Sequence, residues 1–170
     1  MNSKLSLLKF CIPCNAKCCK HGETIGSPIL DEQEMKKIKK VLDKEIKEVV
    51  LENGKKYYVI IVDEKEKRCP YLSKDNKCLI QEVKPLDCAI YPIKAVYVND
   101  EPEDDTIKFV VDSDCPASKH LSKEFIEEAK KLSVESLKRF DKQTFNHWLN
   151  NYIGWVQRYG VDLDEFFDSV

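Results

Sequence analysis

Four cysteines fall within nine positions near the start of this chain, in Cys11-Ile12-Pro13-Cys14-Asn15-Ala16-Lys17-Cys18-Cys19. The unit Cys11-x2-Cys14 is a short chelator: its two thiolates reach one metal without closing a long loop, as in zinc knuckles and iron–sulfur binding runs. Cys18 and Cys19 add two more sulfurs. Adjacent side chains diverge in an extended chain, so one of them ligates while the other packs or serves a second metal. Cys69, Cys78, Cys88 and Cys115 complete a set of eight. They are too widely spaced for a CxxC motif and make sense as ligands that return in space to the first cluster.

The compartment decides how such a set is read. The N-terminus has one early lysine and a short Leu5-Ser6-Leu7-Leu8 run, with no small-residue cleavage site after it. That is too short for a signal-peptide core, and no stretch approaches the roughly 18 apolar residues of a membrane span. The expectation is a cytoplasmic protein without membrane contact, in which eight cysteines point to metal ligation or thiol chemistry rather than disulfides. A thiol–disulfide enzyme would place Cys11-x2-Cys14 at a helix N-terminus after a strand, and neither flank reads that way. Thiolates are soft ligands that favour zinc, Cu(I) and iron–sulfur centres over Mg, Ca or Mn. Both zinc sites and common clusters take four protein ligands, so eight cysteines serve two sites, or one site plus packed thiols.

The rest of the chain reads as one α+β domain, residues 1–170, with a metal core over 11–116 and a helical C-terminal part over 120–168. Its 170 residues suit a single domain that needs no disulfides to fold. Pro13 and Asn15 suit tight turns, and Gly22 and Gly26 keep the following residues out of regular structure. Asp31 with Glu34 forms a capping box, Leu30 and Met35 a hydrophobic staple, and Met35, Ile38, Leu42 and Ile46 recur at helical spacing. Lys36, Lys37, Lys39 and Lys40 fall on the solvent side of that helix. Val49–Leu51 and Tyr57–Val62 read as strands joined at Asn53-Gly54, and Arg68 to Pro92 as a mostly irregular, cysteine-bearing middle. A second hairpin runs from Ile93–Val98 through an acidic turn (Asp100, Glu101, Glu103, Asp104, Asp105) to Ile107–Val111. Ser122 caps a helix carrying Phe125, Ile126, Ala129, Leu132, Leu137 and Phe140. A further helix is expected over Phe145 to Tyr159 and a last helical turn or two over Asp162 to Val170.

The cysteine segments resemble those of the zinc- or iron-chelating CxxCxxCC, or YkgJ-like, family. The first block is Cys11-x2-Cys14-x3-Cys18-Cys19, where the family usually has two residues before its cysteine pair. Cys69-Pro70-Tyr71-Leu72 is similar to the family's Cys-Pro-aromatic-Leu step. Cys78-Leu79-Ile80, followed by Lys84-Pro85-Leu86-Asp87-Cys88-Ala89-Ile90-Tyr91-Pro92, resembles its Cys-x-Ile-Tyr and Arg-Pro-x-x-Cys-Arg-x-Phe-Pro block. Cys115-Pro116 resembles its last element. Gln81 stands where the family has tyrosine. Lys84 and Ala89 stand where it has arginine, and Tyr91 where it has phenylalanine. Lys84 keeps a charge but not arginine's planar fork. The resemblance implies metal chelation, with Cys11, Cys14, Cys18, Cys19, Cys69, Cys78, Cys88 and Cys115 as the ligand set. Related cysteine-rich segments occur in a flagellin lysine methylase, which favours an iron–sulfur cluster, of the 4Fe-4S type, over zinc.

Two functions follow as expectations. One is an iron–sulfur protein, redox-active or accessory to an enzymatic modification. The other is a structural zinc module that binds a protein partner through its C-terminal helices, with an exposed Tyr152 or Trp155 as the sign of the contact surface. No paired carboxylates or Ser/His/Asp arrangement identify an enzyme, and no glycine-rich SAM-binding signature is present. His21, His120 and His147 are possible extra ligands, His21 first among them; His147 reads as structural. A net charge of −2 with intermixed signs speaks against nucleic acid as a partner.

Overall fold

The computed structural model describes residues 10, 13–20, 26–62, 65, 67–99, 101, 103–152 and 160–169. Cys11, His21 and Trp155 therefore lie outside the described residues, as does the 153–159 part of the helix expected over Phe145 to Tyr159. The architecture is mixed α+β, with two small antiparallel sheets of three strands each among the described residues. No helix among the described residues is long and apolar enough to cross a membrane.

The first sheet orders β1 (Ile29–Leu30), β3 (Lys56–Ile60) and β2 (Ile46–Val50), with β3 central. Helix α1 (Glu32–Val41) leaves β1 through the expected capping box. The Asp31 carboxylate accepts from the Glu34 N–H at 2.8 Å, and Met35 packs against the cluster that holds Leu30. Its four lysines are exposed. The helix stops at Val41, short of Leu42 and Ile46. Ile46 instead opens β2 and pairs with Ile60. Helical spacing and strand preference compete over Ile46 to Val50, and the β-branched Ile46, Val49 and Val50 go to the ladder beside β3. Gly54, at φ 80°, turns the hairpin where Asn53-Gly54 predicts it.

The two faces of β3 divide the core by strand alternation. Tyr57 and Val59 pack with Leu137, Phe140, Phe145 and Trp148. Tyr58 and Ile60 pack with Leu30, Ile38, Tyr71 and Ile80, against which Cys69 and Cys78 also rest.

The second sheet orders β4 (Ile93–Tyr97), β5 (Ile107–Val111) and β6 (Val161–Asp162). In its connecting turn Asp104 accepts from Thr106 N–H at 2.9 Å. The middle segment is not wholly irregular: Leu86–Ile90 forms the short helix α2. Ser122 caps α3 (Lys123–Lys138), accepting from Phe125 N–H at 3.2 Å. Phe140 lies past the end of that helix but still enters the core. Helix α4 (Lys142–Tyr152) begins three residues before Phe145 because Asp141 caps it, through Thr144 N–H. The last helix, α5, spans Leu163–Asp168.

Candidate metal centre

Seven of the eight predicted ligands are described, and the fold brings them to one region on four stretches of chain. Cys14, Cys18 and Cys19 come from the N-terminal loop, where Asn15 and Ala16 both take left-handed conformations before the short 3-10 turn Lys17–Cys19. Cys69 and Cys78 come from a tight loop. The Arg68 guanidinium holds that loop by donating to the carbonyls of Leu72 (3.1 Å) and Ser73 (2.7 Å). Cys88 is carried by α2, and Cys115 by the turn after β5. Cys18, Cys19, Cys69, Cys78, Cys88 and Cys115 carry free thiols.

Two contacts fasten the first loop to the second. Cys69 N–H donates to the Cys19 carbonyl at 2.7 Å, and the Asn76 amide donates to the Asn15 side chain at 2.7 Å. Helix α2 is fixed on two sides. Its first N–H, from Leu86, donates to Glu34 at 2.8 Å, and Asp87 forms a nearly buried ion pair with Lys94 of β4 at 2.6 Å. Lys94 in turn lies over the Trp148 ring, 4.1 Å from its centroid.

Cys18 is the hub. Its charge is felt by Cys19, Cys69, Cys78, Cys88 and Cys115, and Cys14 is felt by Cys115. The Cys18 and Cys19 sulfurs stand 4.0 Å apart. Their hydrogen bond holds the Cys18 thiol below its ordinary range, with help from the Lys84 ammonium, and drives Cys19 far above it. Burial pushes Cys69 and Cys115 up to about 11. Cys78 also rises through burial. Cys88 is exposed as a residue, yet burial of its thiol raises it well above the ordinary value. Cys18, Cys19, Cys78 and Cys88 line a concavity of about 110 Å³, together with Leu72, Lys84 and Tyr91.

The donor chemistry suits zinc or an iron–sulfur cluster, since both take soft thiolates. Among the described residues, however, no three His, Cys, Asp or Glu side chains stand close enough together to hold a metal ion.

The histidines take other places. His147 Nδ1 bonds the Tyr57 hydroxyl at 2.9 Å, the structural role its sequence position implies. His120 stacks on Phe10, with ring centroids 5.5 Å apart. Tyr152 is half-buried and meets the Tyr57 ring edge-on. Sequence reasoning missed Arg68, Asp87, Lys94 and Asp112. Only Asp112, a turn-forming residue three positions before Cys115, carries a local signal.

No curated protein and no solved structure matches the chain. A family profile covers residues 10–131, all eight cysteines included. With cysteines on four stretches of chain drawn together, and that profile spanning most of the sequence, the chain belongs to the CxxCxxCC family, described as a putative zinc- or iron-chelating domain.

Proposed function

We propose that this chain holds a cysteine-ligated iron–sulfur cluster, of the four-iron type, at the concavity around Cys18. Its ligands are drawn from Cys11, Cys14, Cys18, Cys19, Cys69, Cys78, Cys88 and Cys115. The observation that supports the reading is that Cys18, Cys19, Cys78 and Cys88 line one concavity from three segments, with Cys69 bonded through its N–H to the Cys19 carbonyl beside it. Isolated buried cysteines packed as small hydrophobes have no reason to converge in this way.

When bound, such a cluster supplies one-electron transfer, in its own right or in service of a modifying enzyme. The chain's residues do the rest. Cys18, its thiol lowered by the Cys19 hydrogen bond and by Lys84, would be one of the sulfurs that hold the group. Lys84 offsets part of the negative charge of the ligating sulfurs. Cys69 and Cys78, set against the hydrophobic cluster of Tyr58 and Tyr71, keep water from one side. Cys88 leaves the other side open at the concavity.

Anaerobic purification with both metals supplied tests this. Iron, acid-labile sulfide and zinc are measured per chain, and the visible spectrum is recorded on the same sample. A brown protein with matched iron and sulfide is expected. Neither metal at meaningful stoichiometry removes the reading. A colourless protein with tightly held zinc selects the alternative, a structural zinc module. The packing of Cys69 and Cys78 against the core favours that second reading, because a metal there would staple the fold, and chelators would then unfold it.

A further inference from the structure

Behind the thiols lies a polar contact that joins two cysteine-bearing segments. The Tyr91 hydroxyl donates to the Asp112 carboxylate. Tyr91 follows α2, three residues after Cys88, and lines the same concavity as Cys18, Cys19, Cys78 and Cys88. Asp112 is buried, at 5% exposure, and organises the turn that carries Cys115. Its second carboxylate oxygen accepts from Asp114 N–H at 2.9 Å, and its carbonyl accepts from Cys115 N–H at 3.2 Å and from the Ser118 hydroxyl. Asp112 N–H returns to the Pro92 carbonyl at 3.0 Å, so the turn is bonded to the Tyr91-Pro92 step from both side chain and main chain.

A buried carboxylate needs partners, and here one of them is a phenol that the resemblance would make a phenylalanine. Phenylalanine fills the same space but offers Asp112 nothing. The hydroxyl is therefore a feature of this chain's own sequence.

We propose that Tyr91 and Asp112 are a positioning pair for the metal centre: their hydrogen bond fixes the Cys115 turn against the Cys88 helix and so sets the spacing of those two thiols. The inference rests on the metal-centre reading above. Partners that hold ligands in place are typically worth about 10–100-fold in metal affinity.

The test compares the full chain with Tyr91→Phe, which keeps the ring, and with Tyr57→Phe. The second variant removes a tyrosine hydroxyl bond in a core cluster with no cysteine among its described residues. Each protein is loaded anaerobically with iron and sulfide, and separately with zinc. The loss of metal to a chelator and the visible spectrum are followed. In parallel, the alkylation of Cys115 relative to Cys14 is mapped in the metal-free chain. Tyr91→Phe is expected to shed metal about 10-fold faster or more, to alter the spectrum, and to alkylate faster at Cys115; Tyr57→Phe does none of these. Wild-type behaviour of Tyr91→Phe in every readout overturns the proposal, as does equal loosening in Tyr57→Phe. A wild-type chain that takes up neither metal removes the metal-centre reading instead, and Cys115 alkylation then decides the tie on its own.

Discussion

The Cys69 N–H donates to the Cys19 carbonyl over 2.7 Å, a main-chain bond between the last cysteine of the N-terminal loop and the first of the central segment. It fixes Cys18 and Cys19 beside Cys69. Cys18, central to the set, should then matter more than a peripheral thiol. Cys18→Ser is expected to cut metal affinity by at least the roughly 10–100-fold seen on losing a supporting partner, and Cys14→Ser by less. Metal content after dialysis against a graded chelator series measures both. Equal losses would remove Cys18 from the hub position.

The raised thiols make metal uptake and stability depend on pH. Cys69 and Cys115 sit at about 11 against an ordinary 9.0, because burial disfavours their thiolates. Between those values the unfolded chain has released protons that the folded chain retains. Stability of the metal-free protein is therefore full below about pH 9 and falls as pH rises toward 11, on the order of 1–3 kcal/mol per thiol. Metal requires the thiolates, so its binding releases protons and tightens as pH rises. Urea unfolding of the metal-free protein at pH 8 and pH 10, and proton release on zinc addition, check the two halves. A metal-free stability that rises with pH over this window contradicts the assignment.

Arg139, just past the end of α3, bridges Asp31 at 2.8 Å and Glu34 at 3.0 Å. Glu34 at the same time accepts from Leu86 N–H at the start of α2. The Asp31 carboxyl is desolvated, yet the Glu34 N–H and Arg139 hold it below its usual range. Glu34 is raised by burial. Arg139→Met leaves two neighbouring, partly buried carboxylates without their cation. A loss of about 1–3 kcal/mol is expected, between the small worth of a surface pair and that of a buried one. Chemical unfolding measures it. Hydrogen exchange at Leu86 N–H should quicken as well, since the same carboxylate holds it.

The elements legible in the sequence are those whose signals are local. The Asp31 capping box, Asn53-Gly54 and the Ser122 cap each act within a few residues, and all three appear where expected. The strands β1 and β6 have two residues each and no periodicity to read. They exist because Ile29 finds Val59 and Val161 finds Val111 across the chain. Ile46 misleads because its spacing from Leu42 is helical while its branched side chain suits the ladder it joins. For the candidate site, the sequence marks the thiols, but their partners behind are distant in the chain. Tyr91 meets Asp112 only once β4 and β5 have paired, while Lys94 meets Asp87 where β4 folds back along α2.

Trp148 connects the C-terminal helices to the wall of the concavity. Its ring is fully buried, and its indole N–H donates to the Ser27 carbonyl at 2.9 Å. Ser27 N–H in turn donates to the Tyr152 carbonyl at 2.8 Å, so α4 grips this segment at two points. Gly26 and Pro28, on either side of Ser27, line the concavity with Cys18 and Cys19. Trp148→Phe keeps an aromatic ring but strands the Ser27 carbonyl and weakens the platform under Lys94. The unsatisfied acceptor alone costs about 1–3 kcal/mol. The variant should therefore unfold at lower denaturant, and Cys18 and Cys19 should alkylate faster while Cys115, held by its own turn, does not. Site-resolved alkylation by mass spectrometry reads the difference. Uniform acceleration at all three cysteines would mean that Trp148 supports the fold as a whole and not this wall.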